Sequence, residues 1–140
     1  MALPSVGGGY QFTDGNTNEL EIDTQAAPQT ATATATLTVA QVTGGILVGN
    51  PSTTAASYTL PTAALIDATM TNMKTNSTFK LTVINLGTST GLITVVVGTG
   101  ITAVGNLVVA ITGSAAGVSG AAEFLFRKTG DAAYTVYRVA

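Results

Sequence analysis

The stretch TFKLTVINLGTSTGLITVVVGTGITAVGNLVVAI, residues 78–111, decides the fold. From Thr78 to Leu86 it alternates: Phe79, Leu81 and Val83 fall on one side of an extended chain, Lys80, Thr82 and Ile84 on the other. Successive side chains of a strand point to opposite faces, so this period of two predicts a half-buried β-strand. Leu92 to Val97 is apolar on both faces, which predicts a central strand buried on both sides. Ile101 to Val104 lies between glycines, and Asn106 to Ile111 is again β-branched. No charged residue occurs from Leu81 to Ala122. A hydropathy window would flag part of this region as membrane-spanning. A spanning helix needs about 20 predominantly apolar residues without breaks. Here Gly87, Gly91, Gly98, Gly100, Gly105, Gly113, Gly117 and Gly120 cut the apolar blocks short, so hairpins are expected and no membrane span.

Working outward, Ala122 to Lys128 alternates, with Phe124 and Phe126 on one face. Thr129-Gly130-Asp131 is a turn, and Ala133 to Val139 returns with Tyr134 and Val136 on one face, Tyr137 and Val139 on the other. Residues 122–139 therefore read as a C-terminal hairpin. Upstream, Pro61 introduces one short helix near residues 62–73, with Thr62 as its cap and Leu65, Ile66, Ala68, Met70 and Met73 as its apolar face. Tyr58-Thr59-Leu60 and Gly44–Gly49 read as short extended pieces. TATATATLTV, residues 30–39, has a period of two that places five threonines on one face. An ice-binding threonine ladder would need that pattern on successive coils, and no such repeat exists, so the segment reads as a linker that becomes a strand. Glu19-Leu20-Glu21-Ile22-Asp23 alternates strictly and reads as a short half-buried strand. The total is about eight to ten short strands. The fold class expected is all-β, a β-sandwich or barrel with jelly-roll-like topology, one short helix and an extended N-terminal arm. The arm covers residues 1–36 and a single β domain covers 37–140.

The chain has 140 residues, one ordinary domain. Apolar residues make up 46% and charged ones only 9%, against about 25% charged in a typical soluble domain. Mean hydropathy is +0.44, which argues against disorder. A sparsely charged surface is poorly protected against association, so the composition predicts burial against partners. Net charge is −2, which gives no basic footprint for nucleic acid. The acids cluster: Asp14, Glu19, Glu21 and Asp23 precede any basic residue, while residues 24–140 carry five basic and three acidic groups. Such an acidic arm can dock on the basic body, within one chain or between chains, or simply stay solvated. No basic and apolar leader pattern precedes Gly7-Gly8-Gly9, so no secretory signal is expected.

Catalytic equipment is sparse. There is no His and no Cys, which removes the commonest general base, the triads built on it, and zinc ligation of the usual kind. No phosphate-cradling G-x-x-x-x-G-K-[ST] occurs. Glu19 and Glu21 would stand about 7 Å apart on one strand face. Glycoside hydrolysis needs such a pair, but no Trp is present to line a sugar site, and solvated charges explain them better. Asp14, Asn16 and Asn18 imitate the start of a calcium loop. Glu19 then stands where glycine is required and Gln25 where the bidentate Glu belongs, so an Asx-rich turn is the better account. The chain is therefore expected to be no enzyme and to need no cofactor and no metal. Phe79, Phe124 and Phe126 read as core; Tyr10, Tyr58, Tyr134 and Tyr137 read as core edges or interface anchors.

Four elements, Tyr58–Ala63 (YTLPTA), Val83–Asn85 (VIN), Gly98–Thr102 (GTGIT) and Tyr134–Arg138 (YTVYR), give the chain a family likeness over about residues 36–139. It resembles the capsid decoration, or cement, proteins of tailed bacteriophages. These motifs are strands and turns rather than chemistry. The resemblance implies a β-rich structural protein on the outside of the virion capsid, commonly a homotrimer, bound to the major capsid protein and stabilising the shell. A tail-fibre or receptor-binding module that recognises a host surface glycan is the alternative. In either case the candidate interaction residues are the apolar positions of the arm and its junction: Tyr10, Phe12, Leu20, Ile22, Leu37 and Val39.

Overall fold

The computed structural model describes residues 22–112 and 120–140. Among them are ten strands in two sheets and two short helices. The chain first lays down β1 (Gln29–Ala31), β2 (Ala35–Thr36) and α1 (Val39–Thr43). It repeats the sequence with β3 (Ile46–Gly49), β4 (Ala56–Thr59) and α2 (Ala63–Thr69), then adds β5 (Thr78–Asn85) and β6 (Ile93–Val96). Each pass puts one strand in each sheet, and successive passes stack in parallel: β1 on β3 on β5, and β2 on β4 on β6. Parallel neighbours require a long crossover connection. Here the crossover is made by the opposite sheet's strand together with a helix, as in a solenoid coil.

The C-terminal part closes the stack differently. β7 (Ile101–Val104) crosses to the far edge of the first sheet and β8 (Val108–Val109) pairs antiparallel with β6. β9 (Ala121–Gly130) and β10 (Ala133–Arg138) form an antiparallel hairpin between β5 and β7. The six-stranded sheet thus runs β1-β3-β5-β9-β10-β7 and the four-stranded sheet β2-β4-β6-β8. The mostly β, two-sheet character agrees with the sequence reading. The parallel ladders depart from the antiparallel Greek-key pairing of a jelly roll, because alternation specifies the buried face of a strand and not its neighbours.

The core lies between the sheets. Leu81 and Val83 of β5, Phe124 and Phe126 of β9, and Tyr134 and Val136 of β10 point inward and are buried; in each strand the alternate positions face one way, and for β10 the structure fixes which side is the core. Phe79 stacks on Phe126 with ring centroids 4.7 Å apart. From the other sheet come Tyr58, Ile93 and Val95. Each such side chain contributes about 1.5–3 kcal/mol by leaving water. β6 corrects the expectation of burial on both faces: Ile93 and Val95 are buried, but Val96 is 39% exposed and Leu92, just before it, 40%.

TATATATLTV is not one strand. It supplies the last two residues of β1 and the whole of β2, and then Thr38 turns the chain into α1. The Thr38 hydroxyl accepts from the Gln41 backbone N–H, and the Gln41 side chain accepts from the Thr38 N–H at 2.8 Å. This capping box satisfies two otherwise orphaned donors. Residues 29–36, grouped with the arm on sequence grounds, are hydrogen-bonded into both sheets. α2 starts as expected, with Thr62 accepting from the Leu65 N–H, but it ends at Thr69. It buries Ala63 and Ile66, while Leu65 is 55% exposed.

Candidate interaction surface

Two polar clusters hold the body together. In the first, Asp67 on α2 receives three donors from the β9–β10 hairpin: Lys128 Nζ at 2.8 Å, the Tyr134 hydroxyl at 2.6 Å and the Ala132 backbone N–H at 2.8 Å. Lys128 and Tyr134 are both buried. The Lys128 and Tyr134 hydrogen bonds hold the Asp67 carboxyl down at about 2, against the opposing effect of its own burial. Burial first, and then the adjacent Asp67 carboxylate, push the Tyr134 phenol far up. The pair therefore stays as carboxylate and phenol near neutrality, a fixed ionic clasp rather than a proton-transfer couple.

The second cluster is centred on Asn85, which is wholly buried at the end of β5. Its Nδ2 donates to the carbonyls of Gly91 at 2.9 Å, Val109 at 3.0 Å and Ala110 at 3.2 Å, and its Oδ1 accepts from the Gly87 N–H at 2.7 Å. One amide thus ties the six-stranded sheet to β8 and to the Gly87–Gly91 turn. Sequence analysis missed this role. The signal was present, since Asn85 occupies the inward position after Phe79, Leu81 and Val83.

The described residues hold no group of three His, Cys, Asp or Glu side chains placed to bind a metal. A recess of about 420 Å³ opens beside Thr32, Thr34, Asn50 and Ser52, and no ionisable side chain lines it. No helix among the described residues is long and apolar enough to cross a membrane.

The predicted interaction residues are divided by the structure. Tyr10, Phe12 and Leu20 lie outside the described residues, as do Asp14, Asn16, Asn18, Glu19 and Glu21. Ile22 is 79% exposed. Leu37 is 3% exposed and its N–H donates to the Thr59 carbonyl at 2.7 Å, while Val39 packs against the core, so both are engaged within the chain. Tyr58 and Tyr134 are core residues.

The outer face of the six-stranded sheet carries several exposed apolar side chains. Register aligns Lys80, Leu125, Tyr137 and Val104 in one row across β5, β9, β10 and β7. Val104 is 49% exposed, and Leu86 and Val139, on the same face, 52% and 50%. The charges on it are few. Lys80 pairs with Glu123 at 3.0 Å, and Arg127 donates to Asn76 Oδ1 at 2.8 and 3.0 Å and to the Tyr137 hydroxyl at 3.3 Å. Strand-face apolar residues in such a row are what sheet packing against another surface uses. Sequence alternation separated Tyr137 and Val139 from Tyr134 and Val136, but only the structure shows which pair faces outward and what stands beside it.

No protein-family model matches the chain, and searches of curated proteins and of solved structures find no match.

Proposed function

We propose that this chain is a structural virion protein that binds the outer surface of a tailed-phage capsid as an oligomer, a homotrimer, and stabilises the shell against internal pressure. Its partners are the major capsid protein and further copies of itself, and it acts without catalysis. The observation that carries the reading is the combination of a 9% charged composition with exposed apolar side chains in a row on the outer sheet face. Solvated monomers seldom keep such a face open. In this reading the arm expected from the sequence, residues 1–36, reaches the shell or a neighbour, and the body that follows oligomerises. The likeness of YTLPTA, VIN, GTGIT and YTVYR to decoration proteins points the same way. A glycan-binding fibre module would present an exposed aromatic cluster; among the described residues Tyr58, Phe124, Phe126 and Tyr134 are buried and Phe79 and Tyr137 are half-buried.

Cosedimentation of the purified chain with undecorated capsids of the parent phage tests the proposal. Saturable binding at a fixed ratio to capsid subunits is the expected result. Absence of binding, together with retention on host glycans, would reverse it in favour of the fibre module.

A further inference from the structure

We infer that the outer face of the four-stranded sheet binds ice, a crystalline water surface, through hydroxyl and methyl groups set in register across its strands. The inference does not rest on the capsid reading, which uses the other sheet. TATATATLTV has no repeat along the chain that would make a threonine ladder, but the fold supplies one across strands. β2, β4 and β6 stack in parallel, and their register sets Thr36 opposite Thr59 and Thr59 opposite Val96. Two residues back along β4, Ser57 is opposite Thr94, and Thr94 is opposite Val108 of β8. The alternate residues Ala56, Tyr58, Ile93, Val95 and Val109 are buried in the core. Thr36, Ser57, Thr59, Thr94, Val96 and Val108 therefore stand on the outer face. They form two rows, each with two hydroxyl-bearing side chains and one valine. Such an array repeats about every 4.8 Å from strand to strand and about every 6.7 Å along each strand. Those two repeats lie close to the oxygen spacings on a prism face of ice.

A second observation concerns the hydroxyls. Those of Thr36, Ser57, Thr59 and Thr94 bond no other group among the described residues. Elsewhere in the chain the Thr38, Thr43, Thr62, Thr69 and Thr90 hydroxyls are each engaged by backbone groups. The face thus keeps its hydrogen-bonding capacity for something outside the chain. Other ligands fit it poorly. No Asp, Glu, Lys or Arg occurs in its four strands, so an ion finds no counter-charge. Its one aromatic, Tyr58, points into the core and offers a sugar nothing to stack on. An apolar protein surface laid on it would leave four hydroxyls buried without partners, which is costly. A water lattice accepts all of them. The hydroxyls join it by hydrogen bonds, and the threonine methyls and valine side chains hold the intervening waters in place without competing for them.

Nanolitre osmometry on the purified full chain, with uptake into slowly grown ice as a second readout, tests this. A gap between melting and freezing points that widens with protein concentration is expected, with faceted crystals and uptake of the chain into the ice. Thr59→Lys, at the centre of the array, should abolish the gap and the uptake. Thr36→Lys should do the same, and because Thr36 is exposed at the sheet edge this variant keeps the fold. Thr102→Lys, exposed on the six-stranded sheet, should leave both readouts unchanged. Circular dichroism checks that each variant is folded. Melting and freezing points that fall together, or exclusion of the parent chain from ice, would overturn the inference. So would a gap that survives both face substitutions, or one lost equally in Thr102→Lys. Capsid cosedimentation is read separately, so neither result decides the other.

Discussion

Replacing Asp67 by Asn should cost stability in a pH-dependent way. The carboxylate accepts from Lys128, Tyr134 and Ala132, and its side chain is only 21% exposed. Its pKa falls from 3.8 to about 2 on folding. At 1.36 kcal/mol per unit, and discounted for partial exposure, the charged form contributes about 2 kcal/mol. The sign follows from linkage. The unfolded chain takes up the proton first, so this contribution is complete above about pH 5 and is lost as pH falls from about 4 towards 2. Asp67→Asn also leaves the Lys128 ammonium buried without its counter-charge, so a loss of about 2–3 kcal/mol is expected at pH 7. The gap between variant and parent should shrink below about 1 kcal/mol near pH 2, where the parent carboxylate is about half protonated and the unfolded chain's almost wholly so. Urea unfolding followed by circular dichroism, at one protein concentration and a series of pH values, measures both quantities. A loss under about 0.5 kcal/mol at pH 7, or a gap that does not change with pH, would refute the clasp.

Three further outcomes are expected. Asn85→Leu fills a similar volume but strips a donor from buried carbonyls and an acceptor from the Gly87 N–H, so a cost of about 2–4 kcal/mol should appear in the same urea assay. Gly49→Ala drives a Cβ into Ile93 Cδ1 and to 3.0 Å from the Tyr58 ring, which should destabilise by about 1–3 kcal/mol. Lys80→Ala removes only a surface pair whose lysine side chain is 63% exposed, and its unfolding midpoint should move by less than about 1 kcal/mol equivalent.

Much of the strand content was legible because β5, β7, β9 and β10 carry strong local signals. Phe79-Leu81-Val83 and Phe124-Phe126 alternate cleanly, and Thr62 announces its helix. Neighbour relations were not legible. Parallel stacking of β1, β3 and β5 depends on crossovers that no single segment reveals. α1 was hidden inside the alternation of TATATATLTV, although Thr38 and Gln41 spell a capping box, because a threonine repeat satisfies a strand period and a cap equally well. For β6 the misreading has a plain cause: Val96 and Leu92 are apolar yet exposed, and hydrophobicity alone does not report which face meets water. Of the interaction residues, Leu37 and Val39 stand just past the expected arm, and both pack within the chain. The sheet-face row of Leu125, Tyr137 and Val104 needed the register to be seen.

The most direct test of the account is the molar mass of the chain in solution, by light scattering across a concentration series. The account predicts a stable species at three times the 14.0 kDa chain mass. A single 14.0 kDa species at every concentration and ionic strength would contradict it.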